Sequence, residues 1–258
     1  RNQLIATFNQ SSRGMPTGGG SLRWIPNSKR ILISGFDPFQ LDSNIRQDNP
    51  SGAVALALDG EIIRSANQPG LFGQIQSVVF PVNFEYFDDN RVEEFFRPYI
   101  QGPNSVNMVI TISQGGNLME LEEVASRYRN PNRLDNETES GGNSSIPSDS
   151  QEFITSSLPR ERMREEALGR LPDPIIEELL SGEDIQNPPT RRIQGSGGDF
   201  LSNEIFYRTS LLRISNPVVS GRTLPVGHLH VPRSGDGYDR NSIISIVRQI
   251  IISALEVI

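Results

Sequence analysis

Two runs, Arg30-Ile31-Leu32-Ile33-Ser34 and Met108 to Ser113, are apolar almost without interruption, too short for helices, and followed at once by glycine. Gly35 closes the first, and Gly115-Gly116 lies just beyond the second. Uninterrupted runs of this kind read as strands buried on both faces, which a parallel sheet beneath helices provides. Gln74 to Val82 and Val226 to Val231 read as further strands. Between them Pro50 to Leu58, Asp88 to Ile100, Pro159 to Leu168, Pro174 to Leu180, Ser202 to Leu212 and Arg240 to Ile258 carry helical patterns, and Arg191 to Gln194 reads as a short strand. Strands alternating with helices predict an α/β fold, an open, twisted, mainly parallel sheet with helices on both faces.

A chain of 258 residues fits one large core. Residues 1–29, rich in Ser, Gly, Asn and Pro and containing Gly18-Gly19-Gly20, read as an extension without regular structure; the α/β domain spans 30–258. Asn130 to Gln151 is almost wholly polar and reads as a long surface loop. The net charge of −7 argues against a nucleic-acid surface. Arg248 and Gln249 interrupt the most apolar segment, Ile243 to Ile258, short of what a bilayer needs, so no membrane span is expected. Without cysteine the chain can use neither disulfides nor thiol catalysis.

Gly197-Gly198-Asp199-Phe200-Leu201-Ser202 runs from a glycine turn into a helix, with Ser202 expected at its start. A nucleophile there would gain from free backbone N–H groups and the helix dipole. The plainer alternative is a serine that only caps the helix. The two histidines, His228 and His230, lie two apart on a strand and so share a face, with His230 nearer the C-terminal end where open α/β sheets bind ligands. The acidic run Glu120-Leu121-Glu122-Glu123 follows Gly115-Gly116 and offers a carboxylate to orient a histidine, or else a solvated acidic face.

The order of these segments resembles the pyroglutamyl peptidase I, or pyrrolidone carboxylate peptidase, family. Gly35-Phe36-Asp37-Pro38-Phe39 with Asn49-Pro50-Ser51 is similar to its opening signature, and Gly115-Gly116 before the acidic run to its second. Asp135-Asn136-Glu137, Leu158-Pro159, the block from Phe200 to Tyr207, and His230-Val231-Pro232 match in the same order.

The resemblance implies removal of an N-terminal pyroglutamyl residue from a peptide substrate, with no metal and no cofactor. Carried over residue by residue, it implies Ser202 as nucleophile, His230 as base and Glu122 as the orienting acid, with Glu123 as the competing assignment. It implies Phe36, Phe39 and Phe200 around the pyrrolidone ring. Assembly as a homo-oligomer and a cytoplasmic location are implied too; an exported or processed form is the alternative for location. The chain departs from the pattern where Ser202 replaces the family's cysteine, Asn117 its arginine and Glu204 its histidine. Loss of a positive charge and gain of a negative one beside the nucleophile should both oppose an oxyanion. The alternative function is a catalytically inactive relative that keeps the fold as a binding or structural module, using the loop of the 130s to 140s and the N-terminal extension as contact surfaces.

Overall fold

The computed structural model describes residues 2–17, 21–41, 43–102, 104–117, 119–168, 196–215, 223–235 and 238–258. The helix expected over Pro174 to Leu180 and the strand over Arg191 to Gln194 lie outside them. Strands β1 (Lys29–Phe36), β3 (Phe72–Phe80), β4 (Met108–Gln114) and β8 (Val226–Val231) form the parallel centre of a six-stranded sheet. Its order is β2-β3-β1-β4-β8-β5, with β2 (Ile62–Arg64) and β5 (Glu120–Leu121) antiparallel at the edges. A separate ribbon pairs β6 (Val124–Ser126) with β7 (Phe153–Thr155).

Strand alternation divides the core in two. Ile31, Ile33, Ile110, Ile112, Leu229 and Val231 point to one face. There they meet helices α2 (Pro50–Leu58), α5 (Arg160–Leu168) and α7 (Arg240–Leu255) through Val54, Met163 and Val247. Leu32, Phe36, Val78, Phe80 and Val109 point to the other, against α3 (Phe84–Asp88), α4 (Arg91–Ile100) and α6 (Leu201–Ser215). The expected α/β architecture is therefore present, with helices on both faces.

Two local expectations needed revision. The helix read over Asp88 to Ile100 is two helices, because Asn90 adopts a left-handed backbone (φ 59°) that a continuous helix cannot contain. The N-terminal segment contains a helix, α1 (Asn2–Ser11), ahead of the glycines, and residues beyond it are laid onto the sheet. Arg13 pairs with Asp37, the Val79 N–H donates to the Arg13 carbonyl at 2.9 Å, and the Ile25 N–H donates to Gln74 Oε1 at 2.6 Å. Met15, Leu22 and Trp24 pack into the α6-side core. Their side chains supply burial that composition, dominated there by small polar residues, conceals.

Candidate active site

The site lies where β1, β4 and β8 end, the edge at which parallel α/β sheets bind ligands. The β1 end is fixed by a close crossing with α2. A Cβ on Gly35 would stand 2.2 Å from the Ser51 carbonyl oxygen, and one on Gly52 2.3 Å from that of Phe36. Asn49 caps α2 by accepting from the Ser51 N–H at 3.1 Å, donates from Nδ2 to the Asp37 carbonyl at 2.9 Å, and accepts from the Ser51 hydroxyl at 2.7 Å. The first glycine- and asparagine-containing signature thus holds the loop bearing Phe36 and Phe39.

Gly115 serves the next strand end. A Cβ there would lie 2.9 Å from the His230 Cβ, so glycine leaves the space in which that imidazole sits. His230 Nδ1 meets Glu122 Oε1 at 2.5 Å, both groups buried. Glu122 is fixed by its backbone, whose N–H donates to the His228 carbonyl at 3.0 Å. Glu123 points elsewhere, half-buried and paired with Arg160 at 3.4 Å. Burial opposes charge on His230, but the negative charge and hydrogen bond of Glu122, aided by Glu120, outweigh it and raise the imidazole above its ordinary value. Among the described residues, Glu120, Glu122 and His230 form a group that could hold a metal ion, their ligand atoms lying within 4.8 Å of one another.

Ser202 sits in the first turn of α6, whose start is clipped to β6 by Asn203. The Asn203 Oδ1 accepts from the Ser126 N–H at 2.9 Å, and Nδ2 donates to the carbonyls of Ser126 (2.7 Å) and Tyr128 (3.1 Å). The Ser202 hydroxyl donates to the Gly197 carbonyl at 3.0 Å, not to His230. Phe36, Phe39, Phe200 and Ser202 line one open cleft, with Asn49, Val82, Ser113, Gln114 and Leu201 completing it. Its free volume, open solvent included, is about 320 Å³. Phe200 is braced edge-on by Phe84 at 5.5 Å, and the Arg129 guanidinium covers the Phe84 ring at 4.8 Å.

The loop of the 130s props this cleft from outside. Asp135 accepts from the N–H groups of Phe84 (2.8 Å), Glu137 (2.8 Å) and Glu139 (3.0 Å). Asn136 accepts from the Gln40 N–H at 3.2 Å and donates to the Pro38 carbonyl at 2.8 Å, gripping the Phe39 loop on both sides.

The sequence placed Glu204 as a negative charge opposing an oxyanion. Its carboxylate instead accepts from Arg129 Nε and Nη2, both at 2.5 Å, from Arg208 Nε at 2.8 Å and from the Ser144 hydroxyl at 3.1 Å. Asp88 takes Arg129 at 2.8 and 2.9 Å, and Glu93 takes Arg208 at 2.6 Å. The charge is neutralised in a buried network that ties the long loop to α6. Asn117 is exposed beyond the glycines.

Among the cleft residues, Ser113, Gln114 and Val82 were not singled out by sequence. Ser113 ends an apolar run and reads as its polar terminus. Its hydrogen-bond partner on the adjoining strand, His228, was set aside in favour of His230. Their alternation on one sheet face was the available signal.

A family model for the C-terminal domain of PA0049 matches residues 30–163. The chain belongs to the PA0049 C-terminal domain family. The curated relative named uncharacterized protein PA0049, from Pseudomonas aeruginosa, is 27% identical over 305 residues, covering 81% of this chain and 54% of that protein. The chain thus spans about half the length of that relative. Among solved structures, pyroglutamyl peptidase I from Bacillus amyloliquefaciens superposes with a TM-score of 0.63 at 20% identity, over 88% of this chain and 95% of that one. A variant pyrrolidone carboxyl peptidase from Pyrococcus furiosus gives 0.61 at 20% identity, over 89% and 99%. This member of the PA0049 C-terminal domain family therefore has the pyroglutamyl peptidase fold. No helix among the described residues is long and apolar enough to cross a membrane.

Proposed function

We propose that this domain is a pyroglutamyl peptidase-like hydrolase, a divergent relative of that fold family in which Ser202 takes the place of the catalytic cysteine. The observation that carries the reading is the buried Glu122–His230 pair at 2.5 Å, with His230 registered across the sheet from Ser113, which lines one cleft with Ser202 and three phenylalanines. The substrate is a peptide whose N-terminal pyroglutamyl ring enters between Phe36, Phe39 and Phe200; apolar walls suit a small neutral ring.

In the reaction Ser202 Oγ attacks the scissile carbonyl and its proton passes to His230 Nε2, while Glu122 holds Nδ1–H and stabilises the resulting imidazolium. Free N–H groups in the first turn of α6 favour the developing oxyanion. The imidazolium then protonates the departing amine, and water, deprotonated by the same imidazole, hydrolyses the acyl-serine. Before attack the Ser202 hydroxyl must leave the Gly197 carbonyl and turn toward His230.

That hydrogen bond favours a second reading, a binding module in which Ser202 only fastens the turn to the helix. Turnover of pyroglutamyl p-nitroanilide separates the two. The hydrolase reading expects cleavage that Ser202→Ala abolishes. No cleavage by the wild type, or by a folded Ser202→Cys variant, removes it in favour of the binding module.

A further inference from the structure

His230 has a counterpart one pleat away whose environment is built the opposite way. His228 is fully buried, edge-on to His230 at 4.8 Å and stacked on Phe206 at 5.7 Å. Its Nδ1 lies 2.7 Å from Thr111 Oγ1 and its Nε2 2.7 Å from Ser113 Oγ, and among the described residues no carboxylate is bonded to either nitrogen. Burial, and then the neighbouring His230, press its affinity for a proton well below the ordinary value. Fully buried, with only hydroxyls at its two ring nitrogens, His228 is held as a neutral imidazole.

Neutral imidazole has one N–H, and the surrounding hydroxyls decide where it is. Thr111 Oγ1 also lies 3.2 Å from the Gly227 carbonyl, which can only accept, so the arrangement that satisfies both contacts gives the threonine proton to that carbonyl and leaves its oxygen an acceptor toward His228. In that arrangement Nδ1 carries the hydrogen and Nε2 is a bare acceptor. Ser113 must spend its single proton on Nε2. The Ser113 oxygen, on the cleft wall, then presents only lone pairs to whatever enters.

We propose that Ser113 is a specificity residue of the cleft, its Oγ accepting a hydrogen bond from an N–H of the bound ligand, with His228 and Thr111 holding it in that role. The ligand class is a lactam or secondary amide that carries its own N–H. This rests on, and deepens, the pyroglutamyl reading, since a pyrrolidone ring has such a group. Ser113 is not a second nucleophile: its partner His228 lacks a carboxylate to stabilise the imidazolium that attack would create.

Binding of 2-pyrrolidone and N-methyl-2-pyrrolidone, titrated by protein chemical shifts, tests this because the two probes differ in the N–H. One neutral hydrogen bond corresponds to a preference for the N–H lactam of about fivefold. Ser113→Ala and Thr111→Val should each bring that preference to near unity while the melting curve remains cooperative. In the wild type, nitrogen shifts of His228 should show hydrogen on Nδ1 and none on Nε2, a readout that needs no variant. The proposal is overturned if Ser113→Ala keeps the preference, if both lactams bind the wild type equally, or if the hydrogen is on Nε2. Failure of both lactams to bind overturns it together with the pyroglutamyl reading, whereas equal binding overturns it alone.

Discussion

Glu204→Gln should be among the most destabilising single changes near the site. The side chain is 1% exposed and receives two guanidinium groups that are themselves buried, so the substitution removes the charge central to the cluster and turns amide hydrogens toward cations. Removing one partner from a buried ion pair typically costs about 3–5 kcal/mol. Asp88 and Glu93 still hold the two arginines from outside, which places the expected loss near the lower figure, about 3 kcal/mol. A typical domain has about 5–15 kcal/mol in total, so the loss is readily measured by urea unfolding followed by circular dichroism. Arg133→Ala is the internal comparison. Its pair with Asp199 is 3.0 Å long but solvent-exposed on the arginine side, and such pairs contribute about 1 kcal/mol or less. Proteolysis within the 130s to 140s loop should accelerate in Glu204→Gln alone, because Arg129 also donates to the Gly141 carbonyl at 2.9 Å. A loss below about 1 kcal/mol would refute the view that the Glu204 charge is a structural centre.

If His230 is the base, it must be neutral to accept the Ser202 proton; its raised affinity then puts the acid limb of the rate profile above 6.5, and Glu122→Gln should move that limb downward. Stability should vary with pH in two opposed parts. His230, raised on folding, contributes below pH 6.5 and loses that contribution as pH rises through its folded value. His228, depressed on folding, contributes above 6.5 and loses it as pH falls, so His228→Phe should remove the acid-side decline in melting temperature attributable to that ring. Gly115→Ala should displace the His230 ring and destabilise by about 1–3 kcal/mol, measured by thermal unfolding beside the turnover assay.

The parallel sheet was legible because its central strands are fully buried and so carry uninterrupted apolar runs. The short strands β5, β6 and β7 were not, having too few residues to express a period, yet β5 and its following residue bring Glu122 to His230. The resemblance left Glu122 and Glu123 in competition, and the link between β5 and β6 separates them: one carboxylate reaches the imidazole and the other Arg160. The role of Glu204 was misread because its partners are separated from it by 75 residues for Arg129, a distance no local pattern spans. Arg208, four residues on, was the visible half of that network. The hydroxyl arrangement around His228 was hidden for a similar reason: Thr111 and Ser113 meet it only through sheet register.

Covalent trapping tests the central claim most directly. The protein is mixed briefly with a pyroglutamyl phenyl ester, acid-quenched and mapped by peptide mass spectrometry. The account predicts a single acyl group on Ser202, lost in Ser202→Ala and greatly reduced in a folded His230→Ala variant. Acylation at Ser113, or none at Ser202 while the Glu122–His230 pair is intact, would contradict it.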